Sequence, residues 1–488
     1  MRSNPAIASF IRDHALDAMR IAGEKVGAGR DRVIEVFNPF TNERIGSVPK
    51  ATLEEVRSAF DTAHRYQPKL TRYERAAILE KAAALVAQRP EWISQLITAE
   101  SGLCVKDSLY EAGRVSDVLR FGANEVLKDD GQIFSCDLTP HGKKRRVYTQ
   151  RSPLLGVISA ITPFNHPMNQ VAHKVVPSIA TNNRMVLKPS EKVPFSAIFF
   201  ADLLYEAGLP PEMLSIVTGD PREIADELIT NEHVDLVTFT GGVAIGKYIA
   251  SKAGYRRVVL ELGGNDPIIV MEDADLDEAS TLAVQGSYKN SGQRCTAVKR
   301  MLVHEAVAAR FTGLVVDKTK AWKFGDPRNP DNDMGTVIDE AAAKQFEARV
   351  NEAVNEGAKL LTGNRREGAL YAPTVVDGVK PDMMLVREET FGPVSPIIRF
   401  RNIDEAIAIS NGTAYGLSSS VCTNRLDYIT RFVNELQVGS VNVREVPGYR
   451  LELTPFGGIK DSGLGYKEGV QEAMKSFTNL KTYSLPWP

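Results

Sequence analysis

Short apolar runs alternate with amphipathic segments through the middle of the chain. Four runs have the composition of strands that are buried on both faces: 154–161, 184–187, 214–217 and 234–239. Between them apolar residues recur at helical spacing, most clearly over 195–207 and 244–253. The alternation predicts right-handed strand–helix–strand units and a parallel sheet, with ligands at the carboxyl ends of its strands.

The pattern changes on either side of this region. The segment before residue 130 is predicted to be mainly helical, with a helix cap at Thr52 and helical spacing over 73–88. Residues 132–150 are less apolar and alternate as exposed strands do. A second region of strands and helices is expected from about residue 266 to residue 455.

Length and charge narrow the class of protein. A chain of 488 residues is too long for one hydrophobic core, so two large domains are expected. The net charge of -2 gives no reason to expect nucleic acid as a partner, and the basic run 143–146 is interpreted as a solvated face. No apolar run is long enough to predict a membrane span. The four scattered cysteines and the absence of a secretory apolar segment favour a reducing, cytoplasmic setting.

A cysteine, a carboxylate and an amide are the candidates for chemistry. Cys295 ends the segment 290–295 (NSGQRC), and a lone cysteine is more often structural than catalytic. Glu261 changes that balance, because it follows a predicted buried strand and precedes two glycines, where a base for a thiol nucleophile fits. Asn165 follows the first strand and would donate to an oxyanion or cap a helix.

Two further segments have features of a dinucleotide site. Lys188 and Glu191 follow the second strand, where they would bond ribose hydroxyls or form a surface turn. Thr240, Gly241, Gly242 and Gly246 lie between a strand and a helix, where a pyrophosphate meets a helix N-terminus. Neither signal is specific by itself.

Taken together, these segments have the order of a known family. The shared motifs are 163–165 (PFN), 188–191 (KPSE), 239–241 (FTG), 261–264 (ELGG), 290–295 (NSGQRC), 388–393 (EETFGP) and 455–458 (PFGG). The chain resembles the aldehyde dehydrogenase superfamily over nearly its full length. The resemblance implies an α/β fold with two parallel-sheet domains, one Rossmann-like for the cofactor and one catalytic, plus a small β oligomerisation arm.

The resemblance also implies a reaction. Cys295 would attack the aldehyde carbon, and Asn165 would hold the oxyanion of the thiohemiacetal. Hydride transfer to the nicotinamide would leave a thioester, which water hydrolyses with Glu261 as general base. By the same resemblance Glu389 holds the nicotinamide ribose and Phe391 packs nearby. Glu191 favours NAD, because its carboxylate accepts from the 2′-hydroxyl and repels a 2′-phosphate, although a Glu that swings outward tolerates NADP.

The implied domain bounds follow the family. The NAD-binding domain would comprise 1–133 and 153–264, and the catalytic domain 265–455. The oligomerisation arm would comprise 134–152 and 476–488, whose alternating tail is suited to adding a strand to a neighbour's sheet. A homodimer or homotetramer is expected.

Four basic residues suggest the kind of aldehyde. Arg114, His166, Arg294 and Arg450 occur in segments that line the substrate tunnel in the family. Each alone is more often a surface or salt-bridge residue, but together they favour a small aldehyde with an anionic tail. Within the family the chain is most similar to enzymes that oxidise phosphonoacetaldehyde to phosphonoacetate, and the alternative is non-phosphorylating oxidation of glyceraldehyde 3-phosphate or of another small aldehyde.

Three other interpretations are less favoured. An acylating enzyme that releases the product to coenzyme A would not need the base Glu261. A structural protein that has lost turnover would not be expected to keep Cys295, Glu261 and Asn165. Asp273, Asp275 and Asp277 resemble the start of a calcium loop but lack its glycine and final glutamate, so no metal is predicted.

Overall fold

The computed structural model describes residues 5–29, 31–128, 131–465 and 468–487. The first part of the chain contains α1 (Pro5–Asp13), β1 (Met19–Ile21), β2 (Glu24–Val26), β3 (Val33–Phe37), β4 (Arg44–Pro49), α2 (Leu53–Arg65), α3 (Arg72–Ala87), α4 (Pro90–Ser101) and α5 (Val105–Val126). The next part contains β5 (Ile133–Ser135), β6 (Arg145–Pro153), β7 (Val157–Ile161), α6 (Asn169–Ala180), β8 (Met185–Lys188), α7 (Pro194–Ala207), β9 (Leu214–Ile216), α8 (Pro221–Thr230), β10 (Val234–Thr240), α9 (Val243–Lys252) and β11 (Arg257–Glu261).

The remaining elements follow residue 266. The first group contains β12 (Pro267–Val270), α10 (Leu276–Tyr288), β13 (Arg300–His304), α11 (Glu305–Ala321), α12 (Glu340–Asn355), β14 (Lys359–Thr362), β15 (Arg366–Glu367), β16 (Leu370–Tyr371), β17 (Thr374–Asp377) and α13 (Met384–Arg387). The second group contains β18 (Val394–Phe400), α14 (Ile403–Asn411), β19 (Tyr415–Gly416), β20 (Ser418–Cys422), α15 (Leu426–Glu435), β21 (Ser440–Val443), β22 (Ile459–Lys460), α16 (Val470–Ser476) and β23 (Thr478–Pro486).

Two seven-stranded sheets organise the molecule. The first has the order β11-β10-β7-β8-β9-β1-β2, in which the five strands from β7 to β11 are parallel. The second has the order β14-β17-β18-β13-β12-β20-β21, and only β14 at its edge is antiparallel. Two apolar clusters are packed around each sheet, as expected when helices cover both faces. The prediction of two parallel-sheet units is confirmed.

A smaller antiparallel sheet stands apart from both. Its order is β23-β6-β5, and Thr478 to Pro486 pair with Pro153 to Arg145 along nine residues. The arm was expected over 134–152 and 476–488; strand β5 begins at Ile133, Ser476 still belongs to helix α16, and the tail strand begins at Thr478. Residues 129 and 130, within the segment expected for the NAD-binding domain, and residue 488, the last of the expected arm, lie outside the described residues.

Local sequence explains the helix starts that the pattern predicted. Thr52 caps α2 by accepting from the Glu55 backbone N–H, and the Glu55 carboxylate accepts from the Thr52 backbone N–H. This reciprocal pair satisfies two donors that a helix start otherwise leaves open. Asp275 likewise caps α10 by accepting from Asp277 and Glu278, so the acidic run opens a helix.

The segment before residue 130 is mainly helical as predicted but has strands that the pattern missed, and the predicted start of the first buried strand was wrong. The segment before residue 130 contains four short strands besides its helices, because hairpin strands of three to six residues are too short for periodicity to show. The first buried strand begins at Val157, and Leu155 is exposed. Gly156 packs so closely that a Cβ there would lie 2.4 Å from the His233 carbonyl oxygen, so the chain turns before the strand begins.

The described part of the chain lacks two kinds of feature. No helix there is long and apolar enough to cross a bilayer. No group of three or more His, Cys, Asp or Glu side chains there is arranged to hold a metal ion.

Candidate active site

Cys295 lies in a buried turn between α10 and β13. The Ala297 N–H donates to the Arg294 carbonyl at 3.1 Å and closes the turn. Before it, Asn290, Ser291 and Gly292 all have left-handed backbone angles. A Cβ at Gly292 would lie 2.4 Å from the Gly392 carbonyl carbon, so only glycine fits there.

Side chains from two other elements hold this left-handed segment. The buried carboxylate of Asp107, on α5, accepts from the Asn290 backbone N–H at 2.8 Å. The Asn290 amide donates to the Asn165 carbonyl at 2.9 Å, and the Asn165 amide donates to the Gln293 carbonyl at 2.9 Å. Asn165 therefore lies against the nucleophile turn, as an oxyanion donor must.

Glu261 ends β11 and is buried. Its carbonyl accepts from the Gly241 N–H at 3.0 Å, which joins the end of β11 to the start of the glycine turn. The loop after Glu261 reaches the nucleophile, because a Cβ at Gly264 would lie 2.4 Å from the Cys295 carbonyl oxygen. The glycines of this loop thus permit the close approach that the sequence suggested.

Lys299 connects three parts of the site. Its ammonium donates to the carbonyls of Cys295 at 2.6 Å and Gly264 at 2.8 Å, and to the Glu389 carboxylate at 2.8 Å. The Lys299 side chain is 2% exposed. Glu389 also accepts from the Gly264 N–H at 3.0 Å.

Six of the eight residues predicted to hold a cofactor lie at or after the carboxyl ends of β8 and β10 in the first sheet, while Glu389 and Phe391 follow α13. Helix α9 begins at Gly242 with no side-chain cap, and the Thr240 hydroxyl is buried without a partner among the described residues. Gly246 packs against Leu262, where a Cβ would come within 2.4 Å of its side chain. Open donors at a helix start, next to glycines, fit the pyrophosphate of a dinucleotide.

Lys188 and Glu191 lie at the same edge. Lys188 ends β8, is buried, and donates to the Pro189 carbonyl at 3.0 Å. Its ammonium is 3.4 Å from the Glu191 carboxylate, which is 40% exposed. The exposed carboxylate remains available to a ribose, so this pair also fits a dinucleotide.

Phe391 lies near Phe164 and Lys299. Its ring packs edge-on against Phe164, with centroids 5.9 Å apart, and the Lys299 ammonium lies 5.5 Å from its centroid.

The sequence model of the aldehyde dehydrogenase family matches residues 26–483.

The chain belongs to the aldehyde dehydrogenase family.

Individual members of the family are similar over nearly their whole length. The chain is 38% identical to 3-sulfolactaldehyde dehydrogenase of Priestia aryabhattai, over 93% of this chain and 94% of that protein. It is 37% identical to sulfoacetaldehyde dehydrogenase of Neptuniibacter caesariensis, over 92% and 98%. The crystal structure of NADP-dependent glyceraldehyde-3-phosphate dehydrogenase from Bacillus halodurans, in complex with NADP, matches with a TM-score of 0.93 at 36% identity, covering 96% and 99%.

These findings establish the fold and the general activity. The chain has the aldehyde dehydrogenase fold, and aldehyde dehydrogenases are NAD(P)-dependent oxidoreductases that oxidise aldehydes. The family assignment agrees with the predicted order of motifs.

Three of the four basic residues predicted to hold an anionic tail, Arg114, His166 and Arg294, lie close enough to influence one another. Burial lowers the pKa of His166, and the charges of Arg114 and Arg294 lower it further against the opposing Glu111. Arg450 lies near enough to the nucleophile to affect the pKa of Cys295. The Nε of Arg294 and one Nη of Arg450 are buried without partners among the described residues.

Buried carboxylates lie next to these basic residues. One carboxylate oxygen of Glu452 accepts from the Arg114 Nε. The other oxygen lies 2.5 Å from the His173 Nε2 and 3.9 Å from the Arg450 Nη2. Burial alone would raise the pKa of Glu452, but His173 and the two arginines lower it well below its usual range. Glu452 is therefore ionised and keeps the guanidinium groups in place.

Glu111 supports His166 in a similar way. One Glu111 oxygen lies 3.4 Å from the His166 Nδ1, while the other accepts from the backbone N–H groups of Met168 and Asn169 at the start of α6. Arg294 donates to the Gly286 carbonyl at 2.8 Å. Burial lowers the pKa of Arg294, and the negative charge of Asp107 raises it.

The sequence did not single out Asp107, Glu111, Glu452 or Lys299. Helical spacing would have found two of them, since Asp107, Glu111 and Arg114 are three and four residues apart and share one face of α5. Glu452 and Lys299 carry no periodic signal. Their partners lie on other segments of the chain.

Proposed function

We propose that this aldehyde dehydrogenase oxidises a small aldehyde with an anionic tail, and that phosphonoacetaldehyde, giving phosphonoacetate with NAD, is the preferred pair. The observation that supports the anionic tail is the set of buried guanidinium donors on Arg294 and Arg450 that have no partner among the described residues. An unpaired buried donor is costly, and a tetrahedral anion offers oxygens to several of them at once.

The residues of the chain divide the reaction between them. Cys295 attacks the aldehyde carbon, and the Asn165 amide, turning from the Gln293 carbonyl, holds the oxyanion. A nicotinamide cofactor, held by Lys188, Glu191 and Glu389, would supply the hydride acceptor for the resulting thiohemiacetal. Glu261 then takes a proton from the water that hydrolyses the thioester, and Arg114, Arg294 and Arg450 hold the tail throughout.

The Cys295 thiol must lose its proton before it attacks. Burial raises the pKa of this thiol to about 11, while the Lys299 charge acts in the opposite direction. Reaction therefore proceeds through the small thiolate fraction present at neutral pH, which grows as the pH rises.

A sulfonate tail is the second candidate. It is favoured by the 37% identity to sulfoacetaldehyde dehydrogenase and the 38% identity to 3-sulfolactaldehyde dehydrogenase. Phosphonate and sulfonate have the same tetrahedral shape, but a phosphonate can carry two charges and a sulfonate only one. Three guanidinium groups attract a dianion more strongly, because Coulomb energy scales with the product of the charges.

A panel of aldehydes tests the substrate class. We expect kcat/KM for phosphonoacetaldehyde to exceed the values for sulfoacetaldehyde, glyceraldehyde 3-phosphate and propanal, measured by NADH formation. Arg294→Ala and Arg114→Ala should lower kcat/KM for the anionic aldehydes about 10- to 100-fold, since each removes a charged hydrogen bond, and should affect propanal far less.

Arg310→Ala serves as the matched control, because Arg310 is an exposed arginine on α11. A wild-type enzyme that prefers propanal would contradict the anionic tail. A preference for sulfoacetaldehyde would keep the anion site and replace the phosphonate.

We further propose a homodimer or homotetramer that forms through the β23-β6-β5 sheet. Leu480, Tyr483 and Leu485 are large apolar side chains of β23 that stay exposed in the single chain. Exposed apolar strands of this kind are suited to burial against a second copy.

A further inference from the structure

A single ammonium group connects the nucleophile to the residue proposed to hold the nicotinamide ribose. Lys299 lies four residues after Cys295, just before β13. Its three N–H donors match three acceptors, namely the Cys295 carbonyl at 2.6 Å, the Gly264 carbonyl at 2.8 Å and the Glu389 carboxylate at 2.8 Å. An ammonium has no further donors, so the arrangement is complete.

The three acceptors come from separate parts of the chain. Cys295 precedes β13, Gly264 follows the last residue of β11, and Glu389 follows α13. Glu389 is confined on its other side, because a Cβ at Gly263 would lie 2.3 Å from its second carboxylate oxygen. Lys299 thus links the Glu389 carboxylate to the backbone of Cys295.

We propose that Lys299 is a positioning residue that sets the Cys295 turn and the Glu389 carboxylate together, so that thiol reactivity and cofactor binding depend on the same ammonium group. This inference rests on the proposed roles of Cys295 and Glu389 and is independent of the tail of the aldehyde.

Several charged groups near Cys295 affect the pKa of its thiol. Burial raises the pKa of Cys295, and the charges of Asp266 and Glu389 raise it further, while the charges of Lys299 and Arg450 lower it. Loss of the Lys299 charge therefore favours the neutral thiol, and loss of the Glu389 charge favours the thiolate. The two substitutions move the pH dependence in opposite directions.

The experiment measures alkylation of Cys295 by iodoacetamide as a function of pH, with the labelled peptide followed by mass spectrometry. Lys299→Met should move the midpoint to higher pH and slow alkylation at pH 8 about tenfold, which corresponds to one pKa unit. Glu389→Gln should move the midpoint to lower pH. Both should weaken NAD binding about tenfold in a fluorescence titration, because both disturb the ribose carboxylate.

Lys289→Met is the matched control, because Lys289 is an exposed lysine six residues before Cys295. It should change neither measurement. A lysine with only a structural role would lower the melting temperature without moving the pH midpoint, and that result would overturn the proposal.

Removal of the Lys299 ammonium leaves the Glu389 carboxylate without its cation, and an unpaired charge of this kind destabilises the fold of the Lys299→Met variant. The double variant Lys299→Met/Glu389→Gln removes both charges. Its alkylation midpoint should lie above that of Glu389→Gln, and an equal midpoint contradicts the proposal. Cys295→Ala separates this inference from the proposed function, since oxidation by that variant would refute the nucleophile while the Lys299 measurements stand.

Discussion

The turn that carries Cys295, the proposed nucleophile, and the proposed anion region of Arg114, His166, Arg294 and Arg450 are built differently. The turn is one short segment, residues 290–297, and side chains of Asp107, Asn165 and Lys299 bond to its backbone. The anion region combines side chains from α5, from the segment before α6, from the nucleophile turn and from the segment after β21. Its basic residues are held by carboxylates such as Glu452 and Glu111.

The difference separates what the reaction needs from what the substrate needs. Attack on an aldehyde requires a thiol, an amide and a base at fixed positions, and backbone contacts fix them whatever the substrate tail. Recognition of a tail requires charges at a distance from the thiol, and long side chains supply them. Substitutions in the first region should therefore affect all aldehydes alike, while substitutions in the second should affect only anionic ones.

The largest effect is expected from Cys295→Ala. Without the thiol no covalent intermediate forms, so oxidation of every aldehyde should fall more than about a thousandfold, while NAD binding persists. NADH formation and a cofactor titration measure the two properties. Cys136→Ala is a suitable control, since Cys136 is only partly buried and lies on the strand segment after β5. Activity of the alanine variant within tenfold of the wild type would contradict the covalent mechanism.

Glu452→Gln should show an intermediate effect that divides the substrates. The amide keeps the shape but loses the charge that holds Arg114, Arg450 and His173. We expect kcat/KM for phosphonoacetaldehyde to fall about 10- to 100-fold, mainly through KM, and the value for propanal to change little.

Non-additivity gives a sharper test of Glu452. Because Glu452 acts through the two arginines, its substitution in an Arg114→Ala background should cost less than in the wild type. Equal losses for propanal and phosphonoacetaldehyde would show that Glu452 supports the whole site rather than the anion region.

The smallest effect is expected from Glu191→Gln. The exposed carboxylate is expected to accept from the 2′-hydroxyl of NAD and to repel the 2′-phosphate of NADP. The variant should raise the ratio of kcat/KM with NADP to kcat/KM with NAD about tenfold, whichever aldehyde is used. A wild-type enzyme that already prefers NADP would refute the proposed cofactor preference.

The sequence predicted the parts that depend on local pattern. Strands β8, β9 and β10 lie nearly where the apolar runs placed them, because strands buried on both faces are continuous apolar runs. The Thr52 cap follows from three neighbouring residues. The motifs that identify the family are also local.

The parts that the sequence could not predict depend on contacts between distant segments. Glu452 lies far from Arg114 in the chain, and nothing in either segment indicates the ion pair. Lys299 is a charged residue in a buried segment, and only its three acceptors explain its position. Leu155 looked like part of a buried strand because periodicity does not reveal where a strand begins.

The left-handed segment before the nucleophile limits how this site can be transferred by protein design. Asn290 and Ser291 are held in a backbone conformation that costs of order 1 kcal/mol or more for each residue that is not glycine. Asp107 and the backbone at Gly392 keep the segment in that shape from outside. A graft of residues 290–295 onto another scaffold would carry the motif but relax to ordinary angles, so a designer must transplant the supporting contacts as well.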